Sequence, residues 1–434
     1  MKNNKVMITL LYFVSVLVLF SFSGCSQSES AAADSDSNQD ETVTIGYNRF
    51  LTQAFGPGEV PFDFIQAQVK ATHPNIQVEL NIMPDDTAGM RNAIAVWMNG
   101  RDGTVDIYGM DTPWVTEFGS AGWAVPLNGE LPEAENFVQP GLETFTYDGR
   151  LLAIPFWGSV TGLYYRKDLL SEAGFDEPPA TIEEMREMIS TVREQKPGIT
   201  PFVWPGGKNE VLVMLFSDFL HAFGGSYLDE KGQYAFNSPE AVEALEFMRS
   251  LLEEGLSPEE VKTWNQQEAY RLFVEGQALF AWSNNDLVLW LDDQERSQVA
   301  GKWGFAPSPA RPEGRRVSIT GGFGFAVNPY SDVPEAALKV MNVIAGRETQ
   351  KNFALAWGPI QYYRGLYKDP EVQQANPKAE RINALLPYAI SRPPAVRYSQ
   401  LSSILQQELH SALTGQQSSL VALEAVNRRA EGLQ

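Results

Sequence analysis

YDGRLLAIPFWGSVTGLYYRKDLLSEAGFDEPPATIEEM, Tyr147 to Met185, carries more local signals than any other part of this 434-residue chain. Asp148-Gly149 opens it with a turn signal. Leu151 to Phe156 is an apolar run that reads as a buried strand, and Val160 to Tyr165 is a second. Arg166, Lys167 and Asp168 start a short helix. It stops at Ala173-Gly174, because glycine enters the left-handed conformation that ends a helix without a steric cost. Pro178-Pro179 force an extended link. Thr181 and Glu184 then form a capping box, in which the hydroxyl accepts a free N–H of the next helix and the carboxylate reaches back.

Each signal is common, but their order is not. Ile154-Pro155, Gly162-Leu163, Tyr165, Asp168-Leu169-Leu170, Ala173-Gly174-Phe175, Pro178-Pro179, Thr181 and Glu184 together resemble the family 1 extracellular solute-binding proteins of ABC importers. In that pattern an Ile-Pro strand, a small-residue turn and a short helix follow one another. The resemblance implies an α/β chain with the two-lobe periplasmic binding protein fold, type II and maltose-binding-protein-like, with a hinge between the lobes. An unrelated α/β crossover would explain the pieces but not their sequence.

Residues 1–24 read as a lipoprotein leader. Lys2 and Lys5 supply the positive start, Val6 to Phe22 the apolar core, and Phe22-Ser23-Gly24-Cys25 a lipobox-like end, with Phe22 where Leu is more usual. Cys25 is the only cysteine, which leaves no disulfide and no cysteine metal site; its expected role is lipidation. The alternative is an uncleaved anchor, since the apolar run is nearly long enough to span a bilayer. Either way the domain is expected outside the cytoplasm, held to the membrane in a periplasm or at a cell surface. Residues 25–41 are a polar, acidic tether that cannot bury a core and is expected to be disordered.

The remainder is too long for one ordinary core and suits two lobes. The expected division is 42–152 plus 308–355 against 153–307 plus 356–434. The net charge of −21 becomes more negative once the two leader lysines are gone. It argues against nucleic acid and anionic membrane faces as partners. Aromatic residues make up 11% of the chain, with ten tryptophans, so some rings are expected outside the core.

Val43, Ile45 and Tyr47 alternate as a strand. Phe62, Ile65 and Val69 follow at helical spacing, and His73-Pro74 ends that helix. Ile76, Val78, Leu80 and Ile82 alternate again. Asp86-Thr87 caps a helix carrying Ile94, Trp97 and Met98, and Val105 to Gly109 is a third strand. Ligands of open α/β sheets gather at the carboxyl ends of the strands, which makes the residues just past Tyr47, Ile82 and Gly109 candidates. Asp106, Asp111, Trp114, Gly122-Trp123 and Pro126-Leu127 also resemble a family segment. In trehalose- and maltose-binding members the acid matching Asp111 hydrogen-bonds sugar hydroxyls. The plainer role for Asp111 is a helix cap.

The resemblance continues through the second half. Gly276 to Trp282 matches a glycine turn and buried strand before a pocket aromatic, which implies Trp282 or Asn284. Gly321-Gly322-Phe323 matches a glycine pair followed by an aromatic, with Phe323 where many members carry Trp. Trp157 and Ser159 stand where relatives carry an aromatic and an acid. Trp357 lies in a segment of the "G-x-x-P…Y-x-D-P" type. Arg392 and Tyr398 match "R-P-x-x-x-x-Y", in which the arginine of some members reaches sugar hydroxyls; its plainer role is an interlobe salt bridge. The implied ligand-binding set is therefore Tyr47, Asp86, Arg91, Asp111, Trp157, Ser159, Trp282, Asn284, Gly322, Phe323, Trp357 and Arg392.

No catalytic constellation accompanies it. Asp85 and Asp86 are adjacent acids that point apart, unlike the facing carboxyls of a glycosidase. The three histidines, His73, His221 and His410, lack metal-ligand spacing, and no G-x-S-x-G or phosphate loop occurs. The expected protein is a monomeric sugar-binding subunit of an ABC importer. It has no cofactor and no metal, and it hands a small glycoside of trehalose, maltose, sucrose or glucosylglycerol type to a permease. A secreted carbohydrate hydrolase, or a ligand sensor on the same fold, is the alternative.

Overall fold

The computed structural model describes residues 40–433, apart from 292–294, 359, 377–378 and 394. The expected leader, Cys25 and nearly all of the tether lie outside the described residues.

The strands of the main sheet are β1 (Glu41–Tyr47), β2 (Ile76–Ile82), β3 (Ile107–Asp111), β4 (Ile154–Arg166), β5 (Thr200–Val203), β6 (Ala278–Asn284), β7 (Trp303–Ala306), β8 (Ser318–Val327) and β9 (Ala389–Ile390); Thr146–Tyr147 and Arg150–Leu151 pair separately. The main sheet has the order β2-β1-β3-β8-β4-β6-β5, with β7 pairing β4 and β9 pairing β8. β1 runs parallel to β2 and β3, because the helices Pro61–Thr72 and Thr87–Gly100 provide the crossovers. Asp86 caps the second of these by accepting from Gly89 N at 2.7 Å. The Thr181–Glu184 capping box forms as expected.

The two apolar runs expected as separate strands are one strand of 13 residues, Ile154–Arg166. The Gly158-Ser159 pair does not turn because β8 pairs straight across it. Gly322 stands opposite Gly158 and Gly321 opposite Ser159, and the register shifts only between Phe323 and Gly324. Small residues break a strand when their backbone groups lack a ladder, and here the ladder is supplied from more than 160 residues downstream.

β4 and β8 run through both lobes. One core gathers apolar side chains from Val43 to Trp157 and from Phe325 to Leu366. Another spans Leu163 to Ile319 and returns with Ala395 to Leu433. A satellite around Tyr164, Phe273 and Trp303 extends it. Val317 and Ile319 pack in the second core, Trp357 in the first.

A polar knot sits beneath the crossing strands. Asp218, buried on the helix Glu210–Ala222, accepts from Trp282 Nε1, Thr161 Oγ1 and Ser308 Oγ, while Thr161 Oγ1 accepts from Ile319 N at 2.8 Å. Burial pushes the Asp218 carboxyl up to about 7, although the three side-chain donors pull it down. Its folded pKa therefore exceeds its unfolded one, so the folded chain binds more protons between pH 4 and 7. Stability from this group is present at low pH and lost as pH rises through about 7. The contribution reaches up to about 4 kcal/mol at one pKa unit per 1.36 kcal/mol. The expected result is that urea unfolding of Asp218→Asn falls off less between pH 5 and 8 than that of the wild type. Parallel pH profiles would remove the assignment.

Candidate functional site

The carboxyl ends of β1 and β3 face the second lobe where β4 and β8 cross. Asp111, the last residue of β3, begins a short 3-10 turn, but its side chain makes no capping bond. It is taken instead by Arg392, whose Nη2 donates to Asp111 Oδ1 at 2.6 Å. Nη1 of the same guanidinium donates to Glu210 Oε1 at 3.1 Å. Glu210 is the first residue of its helix, behind the Asn209 cap. It is a favoured place for an acid beside the exposed helix N–H groups. Tyr398 Oη and Ser402 Oγ also donate to Glu210. One arginine thus bridges an acid of each lobe, with only 6% of its side chain exposed.

Burial opposes charge on Arg392, but Asp111, Tyr398 and Glu210 outweigh it and hold its pKa above the ordinary value. Burial raises Asp111, and Arg392 offsets part of that. Arg392 Nε has no partner. A crevice of about 130 Å³ opens beside the triad, lined by Thr87, Arg91, Asp111, Trp114, Glu210 and Tyr398 among others. A second, of about 260 Å³, lies between Thr112, Glu143, Thr320 and Arg392.

The apolar wall comes from the first lobe. Phe50 stacks on Trp357 at 4.9 Å and meets Trp157 edge-on at 5.0 Å. Trp357 stacks in turn on Phe353 at 5.2 Å. Its Nε1 donates to Gln53 O at 2.8 Å, which settles the indole's one donor inside a core. Phe323 meets Tyr47 and Trp114 edge-on at 5.6 and 6.1 Å. Tyr47 is buried, and its phenol is held well above the usual range by burial, then by Asp111 and Asp286. Glycines make the approach possible. A Cβ on Gly158 would stand 2.5 Å from Tyr362 Oη, and one on Gly322 would stand 2.5 Å from Trp157 O.

The structure brings together Asp111, Trp157, Ser159, Gly322, Phe323 and Arg392 around the crossing, with Tyr47 and Trp357 packed behind them. Ser159 Oγ lies against Gly321, whose own neighbour is Arg392. Arg91 stands at the crevice, paired with Glu117 and over the Trp123 ring. Asp86 is an exposed helix cap. Asn284 ends β6 and caps the turn after it. Trp282 is 1% exposed and packs in the second core, its N–H spent on Asp218. Glu210, Asp218 and Asp286 escaped the sequence reading. The signal for Glu210 was Asn209-Glu210 ahead of an apolar run, a helix start with an acid in its first turn. Asp218 was a lone acid inside that run. Among the described residues no cluster of His, Cys, Asp and Glu has metal-holding geometry.

Comparisons with known proteins bear on the family and the fold. The family of bacterial extracellular solute-binding proteins matches residues 56–351. A probable ABC transporter-binding protein of Deinococcus radiodurans is 30% identical over 320 residues, which cover 71% of this chain and 75% of that one. A mannitol-binding protein of Pseudomonas aeruginosa is 25% identical over 310 residues, covering 69% and 66%. The maltose-bound structure of T. maritima MalE3 superposes with a TM-score of 0.82 at 30% identity, covering 91% of this chain and all of that one. Its two-lobe α/β architecture is that of the present chain. With a matched segment running from the first crossover helix to beyond β8, the chain belongs to the bacterial extracellular solute-binding protein family and is a binding protein, not an enzyme.

Proposed function

We propose that this chain is the extracytoplasmic binding subunit of an ABC importer for a small carbohydrate, captured between the two lobes. The observation that carries the reading is the pairing of the Phe50–Trp157–Trp357 aromatic wall with the Asp111–Arg392–Glu210 triad. A sugar offers flat C–H faces and a rim of hydroxyls. Aromatic rings cover the first, and charged acceptors and donors take the second. The maltose and mannitol named for two relatives support a ligand class that includes both α-glucosides and polyols. Within it, a trehalose- or maltose-type disaccharide is the finer reading. Ser159 offers a neutral hydroxyl where an acid is expected, which favours a different hydroxyl pattern.

The lobes close about the paired glycines of β4 and β8, in the manner of hinge-bending binding proteins. A ligand shifts that equilibrium only by binding the closed form better, and contacts from both lobes supply the difference. Cys25 lipidation would tether the domain beside its permease, with the monomer as the working unit.

The test is intrinsic tryptophan fluorescence of residues 42–434, titrated with maltose, trehalose, sucrose, glucosylglycerol, mannitol and ribitol, with product analysis of the same samples. A saturable response with the sugar recovered intact is expected. Trp157→Ala and Asp111→Ala should each weaken binding at least tenfold while leaving the far-ultraviolet dichroism intact. Consumption of the sugar would move the chain to the hydrolases, and unchanged affinity in both variants would remove this site.

A further inference from the structure

β6 ends in Ser283-Asn284 and turns through Asn285-Asp286; Ser283, Asn284 and Asp286 form a directed relay with Gln266 and Tyr270. Gln266 Nε2 donates to Ser283 Oγ at 3.4 Å, and Ser283 donates to Tyr270 Oη. Tyr270 donates to Asn284 Oδ1 at 3.0 Å, and Asn284 Nδ2 donates to Asp286 Oδ2 at 2.9 Å. Every donor points one step closer to Asp286. The turn is pinned as well. Asn285 Oδ1 accepts from Val160 N at 2.7 Å, and Tyr164 Oη donates to Asn284 O at 2.9 Å.

All of this organisation serves one carboxylate oxygen and leaves the other bare. Asp286 Oδ1 is inaccessible to solvent and has no hydrogen-bond partner, although the residue as a whole is partly exposed. Its place follows from its neighbours. Asp286 lies near enough to Tyr47 of the first lobe for its charge to raise that phenol. Val288, two residues on, borders a crevice with Phe55 and Trp357 of the first lobe. Asp286 and Val288 therefore stand where the second lobe meets the first, beside Tyr47, Phe55 and Trp357.

We propose that Asp286 Oδ1 is the second lobe's acceptor for a ligand hydroxyl, so the preferred ligand carries a free hydroxyl at that end. This rests on the carbohydrate reading above and adds to it a position no other residue serves. A buried carboxylate oxygen without a donor is unfavourable, and a ligand hydroxyl removes that penalty only in the closed form. That is the differential contact closure needs. Burial holds the Asp286 carboxyl up at about 6. Tyr47, Tyr164 and Tyr270, the titratable groups that face it, are all held above their ordinary value and stay neutral. A hydroxyl bond to the carboxylate favours the ionised form, so affinity should fall as pH drops below about 6.

The experiment measures the dissociation constants of maltose and mannitol for wild type, Asp286→Ala and Asp286→Asn between pH 5 and 8, beside the thermal midpoints of the unliganded proteins. The expected result is at least a tenfold loss in both variants at pH 7.5. The wild-type fall below pH 6 should be absent in Asp286→Asn. Midpoints should be unchanged or raised, since an unpaired buried charge is gone. Asparagine fits because its O can meet the Asn284 amide only by presenting N–H₂ where the ligand hydroxyl would donate. Wild-type binding with both variants within twofold of it overturns the proposal. Should Asp286→Ala not fold, the Asp286→Asn constants decide alone. Where the wild type binds another of the six compounds titrated above instead, the same comparison is made with that compound; a wild type that binds none of the six fails the carbohydrate reading itself, and this inference with it.

Discussion

Arg392→Ala is expected to open the unliganded protein and to lower its stability by about 3–5 kcal/mol, the cost of leaving buried charges without their partner. Two acids lose one counter-ion. Asp111 and Glu210 come from different lobes, and Arg392 touches both at 2.6 and 3.1 Å. Without the guanidinium they repel across the interlobe cleft. Hinge opening lets water reach them, so part of the cost should appear as a shift in shape. Small-angle scattering should show a larger radius of gyration for the variant without ligand. Arg392→Lys should recover little, because a single ammonium cannot reproduce a fork that serves two carboxylates. An unchanged radius and midpoint would mean that the bridge contributes nothing to closure.

Trp282→Ala should be comparably severe, at about 3–5 kcal/mol for removing a large buried ring. Trp282→Phe separates its two roles. It keeps most of the volume but removes a donor from Asp218, which already has one unpartnered oxygen. A loss of about 1–3 kcal/mol is expected for that donor alone. Carbohydrate affinity of Trp282→Phe should stay within a factor of two to three, since the ring lies in the second core. A large affinity loss with an unchanged thermal midpoint would return Trp282 to the pocket.

What the sequence made legible was what short-range chemistry dictates. The first three strands and their crossover helices followed from alternation and helical spacing. Asp86 and Thr181 were readable as caps, and each accepts from the helix it precedes. The order of motifs from Ile154 to Glu184 implied the fold because that order is rarer than its parts. What stayed hidden was pairing at long range. Asp111 and Arg392 are 281 residues apart, and periodicity carries no information about a contact at that distance. The joining of two apolar runs into β4 was hidden for the same reason, since the ladder that straightens Gly158-Ser159 arrives with β8. Trp282 shows the converse limit. An aromatic two residues from the expected position fits a pocket or a core equally well until a partner such as Asp218 claims its N–H.

The place of β8 between β3 and β4 bears on how the molecule is made. The two halves of the sheet cannot be joined until residue 318 and beyond have been supplied. The second core waits longer still, for the helices Tyr398–Leu413 and Ser419–Ala430. Contacts of such high sequence separation fold slowly. A growing chain of this kind keeps the two halves of its sheet unjoined until β8 has been made. The interleaving that unites the two lobes in the finished protein is thus also a delay in its assembly.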